Sequence, residues 1–248
     1  MATTNEIVGA VASFYDFLAN LHIPRSALKY PPYGGWPDVD GSSYRPPKNE
    51  AALDVIRHLP YLHSDQNGDD HQVYEKTAVW DYSGDEFEGS GPHDPDPYPL
   101  REIIDVSESE VVLAQPSGGH YGYYFILETA TGIISLREFD YCEWEEYPAS
   151  EFFEVIKSRF RSLEVYPIDA NEVEMAERCD DDQNERLADI FHSYGWPSAE
   201  FSLGKDECMR KIRKAWREEN GWSDSEDDDN EGNEDVQQLT EGIEEMDT

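Results

Sequence analysis

The sequence predicts an α+β fold: an antiparallel sheet packed by helices in a single domain, followed by an acidic tail. Three observations carry that prediction. Two segments space apolar residues three and four apart, Ile7, Val11, Phe14, Leu18 and Leu21 in one and Phe152, Ile156, Phe160 and Leu163 in the other. Each set makes one apolar stripe along a helix. Between them Tyr123, Phe125 and Leu127 alternate with Tyr124 and Ile126, the two-residue period of a strand. From Ser223 onward the chain carries twelve acidic residues, no basic ones and few apolar anchors. Such a segment cannot bury enough surface to offset its ordering entropy. The expected boundaries are a globular domain over 1–217 and a disordered acidic tail over 218–248.

Taken in order, the first helix opens at Thr3 and Glu6, which have the spacing of a capping box, and stops at Pro24. The stretch YPPYGGWPDVDGSSYRPP, from Tyr30 to Pro47, has too many prolines for a helix or a central strand. It is expected to run extended over the core with Tyr30, Tyr33 and Trp36 as anchors. A short helix follows from Glu50 to His58, and Val73 to Tyr82 reads as a strand. Residues 83–99 form a long proline-containing loop. Glu110 to Ala114 is a short apolar strand. Ala130, Thr131 and Gly132 turn the next strand back along Ile133 to Glu138. After the helix beyond Pro148, another holds Leu187, Ile190, Phe191 and Tyr194 and ends at Gly195. The last, from Lys205 to about Arg217, carries Met209, Ile212 and Trp216.

The formal charge is −36 over 248 residues, and removing the tail's twelve charges still leaves −24 on residues 1–222. That field repels phosphate backbones and anionic headgroups, which disfavours nucleic acid and membranes as partners and favours a protein. Cys142, Cys179 and Cys208 are an odd set with no paired spacing, so no disulfide framework is expected. The N-terminus lacks a basic region and is interrupted by Glu6 and Asp16, unlike a secretory signal. Together these place the expected location inside the cell, in the cytoplasm or alternatively the nucleus.

SGGHYG (Ser117 to Gly122) leads from one strand into another, with no helix start and no lysine to hold a phosphate, so it reads as a hairpin bend. Asp65, Asn67 and Asp69 match the start of a calcium loop, but Asp70 stands where glycine is needed and Lys76 where glutamate is. His63, Asp65, His71 and His93 form the one ligand set that a metal-dependent or other hydrolase could use, without helical or C-x-x-C spacing. Cys142 lies beside Glu143 and Glu145, which disfavour a thiolate. No catalytic residue and no cofactor follow from any of this, and a metal is the alternative only.

Two surfaces favour binding instead. One is the aromatic loop at Tyr30, Tyr33 and Trp36, residue types that often anchor interfaces. The other is the last helix, where Arg210, Lys211, Arg213 and Lys214 cluster just before the acidic tail. Ser223 and Ser225 each have an acidic residue three positions on, the pattern acidophilic kinases favour. Phosphate there would strengthen a fold-back of the tail onto the basic helix.

The segment VVLAQPSGGHYGYYFILETATGIISLREFD, followed by YPASEFFEVIKSRF, resembles the later half of the SUKH (Smi/Knr-like) domain over about residues 110–163. The shared pattern is a strand, a glycine-containing bend, a strand ending in an acidic residue, a G-x-[IV] return and an A-x-x-F helix. The phrases FYDFLANLHIPRSALKYPP, GGWP, IRHLPYL and HSYGWP are also similar to an uncharacterised family of filamentous-fungal proteins, over most of residues 14–210. The fungal likeness implies no activity. SUKH domains include toxin-immunity proteins and a fungal cell-wall regulator. That resemblance therefore implies an α+β protein-binding module without catalytic residues.

Overall fold

Helix α1 (Thr4–Leu21) begins at the expected cap: Thr3 N–H donates to Glu6 Oε2 at 2.7 Å and Glu6 N–H to Thr3 Oγ1 at 3.3 Å. The computed structural model describes residues 2–39, 44, 47–83, 106–117, 121–138 and 144–221. The α1 stripe Ile7, Val11, Phe14, Leu18 and Leu21 is buried. Its C-terminal carbonyls are closed from afar, because Lys205 Nζ donates to Ala19 O at 2.8 Å and to Ile23 O at 3.1 Å. Strand β1 (Leu28–Lys29) pairs with β2 (Tyr61–Leu62), and α2 (Glu50–His58) lies between them in sequence, capped by Asn49.

The centre is a six-stranded antiparallel sheet in simple up-and-down order. Its strands are β3 (Gln72–Tyr74), β4 (Thr77–Val79), β5 (Glu110–Pro116), β6 (Tyr123–Glu128), β7 (Ile133–Glu138) and β8 (Trp144–Pro148). The single strand expected over Val73–Tyr82 is two, because the chain turns at Glu75 and Lys76. Lys76 takes a left-handed φ of 45°, and Thr77 Oγ1 donates to Glu75 O at 2.6 Å. β5 ends at Pro116 and β6 begins at Tyr123, so the glycine-containing stretch joins strand to strand, with 118–120 outside the described residues. Gly122 there has φ 119°, and a Cβ on it would stand 2.1 Å from the Lys76 carbonyl oxygen, so only glycine fits. Alternation along β6 runs as expected, but both faces are covered: Phe125 and Leu127 are buried on one side, Tyr124 and Ile126 on the other.

Helix α3 (Ala149–Arg161) lies over the Phe125 face, with the Phe152 and Phe125 rings 5.0 Å apart. It carries α1 on its far side, where Phe14 stacks on Phe153 at 5.0 Å. The layers are therefore sheet, α3 and α1. A second hairpin, β9 (Val165–Pro167) with β10 (Val173–Met175), follows α3 and was not anticipated from the sequence. Helix α4 (Asp181–Ser193) and α5 (Lys205–Glu219) complete the described fold. The chain divides at Arg213 into two units. The first, to Arg213, holds the sheet and its helices. In the second, α5 runs on to Glu219, and the tail expected to be disordered lies outside the described residues from 222 onward. Among the described residues no helix is long and apolar enough to cross a membrane.

Candidate functional site

The cross-strand register brings the ends of β6, β7 and β8 to one corner of the sheet. Tyr123 pairs with Glu138, and Leu136 with Glu145, so these side chains share the face that α3 covers. Where α3 runs out, that face opens into a cleft of about 450 Å³. Tyr74, Tyr123 and Trp144 supply its aromatic surface; Glu138, Glu145, Glu164 and Glu177 supply four carboxylates. Trp144 is 52% exposed. It carries the Arg137 guanidinium 5.2 Å from its ring centroid and donates from Nε1 to Glu146 Oε1 at 3.0 Å.

One cation lies at the base. Arg159 donates to Tyr74 Oη at 3.0 Å and to the two oxygens of Glu145 at 2.8 and 2.6 Å. Burial works against the Arg159 charge, yet Glu145 and Tyr74 raise its pKa further. Burial also pushes the Glu145 carboxyl up, but hydrogen bonds from Arg159 and Tyr147 outweigh that and hold it below the usual carboxylate range. Arg159 and Glu145 thus neutralise each other, Glu138 lies 3.5 Å from Arg178, and Glu164 and Glu177 give the cleft its sign.

Behind the cleft is a buried acid. Glu75 is 1% exposed on its side chain, with Oε1 2.8 Å from Arg178 Nε. Neither carboxylate oxygen has a hydrogen-bond partner among the described residues. Burial pushes its pKa up to about 7; Arg178 pulls the other way, and Glu174 and Glu138 add to the rise. Arg178 also reaches Glu138 at 3.5 Å. A single guanidinium therefore joins the buried carboxylate to the wall of the cleft.

None of the described residues singled out from sequence as candidate site residues lines this cleft. Tyr30 and Tyr33 are 53% and 109% exposed, whereas Trp36 is 9% exposed and donates from Nε1 to Leu59 O at 2.8 Å. The proline-rich stretch hence has one anchor in the core and two rings outside it. On α5, Arg210 pairs with Glu207, Lys211 Nζ lies 5.0 Å from the Tyr194 ring centroid, and Arg213 Nε is 3.5 Å from Asp169 Oδ2. Lys214 is exposed, in the second unit. Asp65 and His71 sit at opposite ends of one amide: His71 Nδ1–H donates to Asn171 Oδ1 at 2.9 Å, and Asn171 Nδ2 donates to Asp65 Oδ2 at 2.8 Å. His63 is exposed, its backbone N–H donating to Ala27 O. His93, Cys142, Ser223 and Ser225 lie outside the described residues. Among those described, no group of three His, Cys, Asp or Glu residues could hold a metal ion.

None of the cleft's carboxylates was found by motif. They come from β7, β8 and the two segments that flank the second hairpin, and no local spacing links them. The nearest signal was the acidic strand end REFD before CEWEE. No protein-family model, curated protein or solved structure matches the chain.

Proposed function

We propose that this chain is a non-enzymatic protein-interaction module of SUKH-like type, working inside the cell, in the cytoplasm or nucleus, with its partner docked in the cleft beside β8. The observation that carries this reading is Trp144. A large ring half exposed at the rim of an aromatic cleft, on the outermost strand of the sheet, is a residue type that dominates interface energetics. Arg159, the cation among the cleft's described lining residues, is held by Glu145 and Tyr74, which leaves the remaining carboxylates to meet a partner.

The test is a comparison of variants in affinity capture from native lysate. Proteins retained by the wild-type chain and by Tyr33→Ala, but lost by Trp144→Ala, are the expected result. Retention of the same set by all three would move the docking site away from the cleft.

A further inference from the structure

We infer that the partner presents an extended segment carrying arginine or lysine, which adds as a seventh strand to the open edge of β8 while a basic side chain enters the cleft. This rests on the docking site proposed above and names the chemistry of what fills it. The geometry comes first. Among the described residues β8 pairs only with β7, so its other edge offers a row of backbone groups to an incoming strand. Four of its five residues are exposed, and Tyr147 is half-buried.

Charge selects the occupant. The two faces of β8 each carry a glutamate: Glu145 on the α3 side, where it meets Arg159, and Glu146 on the other, where it accepts from Trp144. A strand laid beside β8 would therefore set its alternate side chains against carboxylates on both faces. On the α3 side those side chains continue toward Glu138, Glu164 and Glu177 in the cleft. A cation there also meets the ring of Tyr123, whose face attracts positive charge. A second copy of this chain would bring its own Glu145 and Glu146 against the same pair and is disfavoured. The chain's two long segments outside the described residues fit no better. Residues 84–105 hold one arginine against seven acids, and 223–248 hold twelve acids and no base. The complement must come from another protein, and it must be basic.

The test uses the full chain and a fluorescent peptide of about nine residues in which arginine alternates with valine, read by anisotropy at physiological salt. The peptide should bind saturably, and Glu146→Lys and Glu177→Lys should each weaken it about tenfold or more. Glu185→Lys, an exposed position on α4, should leave affinity unchanged. Two N-methylated peptides then test the strand, because alternate N–H groups of an added strand face the edge and the rest face solvent. Methylation in one register should abolish binding, and in the other should spare it. Equal binding of the two overturns strand addition while leaving the cleft as a docking site. Absence of binding, or equal weakening by Glu185→Lys, overturns the basic partner. The lysate comparison with Trp144→Ala judges the cleft itself, whichever of these results is found.

Discussion

At the scale of single residues, two buried groups with displaced pKa values oppose each other. His22 is buried; its Nε2–H donates to Gln72 O at 3.0 Å and its Nδ1 has no partner among the described residues. Burial is the main cause that lowers its pKa to about 4. The native ring stays neutral while the unfolded chain takes up a proton below about pH 6.5. Its contribution is therefore complete above that pH and is lost as pH falls towards 4. Glu75 runs the other way. Its native carboxyl stays protonated up to about 7 while the unfolded chain ionises it from about 4.5, so its contribution is present at low pH and lost as pH rises through that window. Glu75→Gln removes the second effect and leaves the first. Measured by urea unfolding, the variant should gain stability over wild type by roughly 1–3 kcal/mol between about pH 4.5 and 7. Parallel curves would mean that Arg178 keeps Glu75 ionised in the native state. Neither group stood out in the sequence, since a carboxylate among 55 or one histidine among seven has no local mark of burial.

Elements were legible in proportion to how local their causes are. The Thr3–Glu6 box, the stripe of α1 and the alternation of β6 are all written within a few residues, and each is present as read. The second hairpin and β8 were missed because β8 is two glutamates between aromatic rings, and the short β9 and β10 strands depend on pairing with each other. The cleft was missed for the same reason, being assembled from segments that meet only through the sheet register. Two predictions belong at this scale. Phe125→Ala deletes a ring buried between the sheet and Phe152, and should cost about 3–5 kcal/mol in urea unfolding. An unmoved midpoint would refute the sheet-on-α3 packing. The glycines give a sharper contrast. Gly34 and Gly122 both have positive φ, but a Cβ at Gly34 meets open space and at Gly122 meets the Lys76 carbonyl oxygen. Gly34→Ala should cost about 1 kcal/mol, and Gly122→Ala clearly more, because backbone must move. Equal costs would show that the β3–β4 turn yields easily.

At the scale of the whole molecule the decisive quantity is the charge of −36. Two effects of salt compete. Screening weakens ion pairs such as Arg25–Asp16 and Arg210–Glu207, but exposed pairs of this kind are worth about 0–1 kcal/mol each. Screening also relieves repulsion among carboxylates that outnumber the cations, 55 against 19, and that term grows with the square of the net charge. Repulsion should dominate. Raising sodium chloride from about 10 to 150 mM shortens the Debye length from about 30 to 8 Å, so the melting temperature should rise by several degrees. An uncharged osmolyte at matched osmolality controls for excluded-solute effects and should give a smaller shift. The same screening should slow capture of a cationic segment at the cleft, because steering of opposite charges fades as the Debye length shrinks. Salt should accordingly stabilise the fold and slow association with the arginine peptide in the same range. A melting temperature that falls with salt would mean that local pairing, rather than net charge, sets the electrostatics of the folded chain.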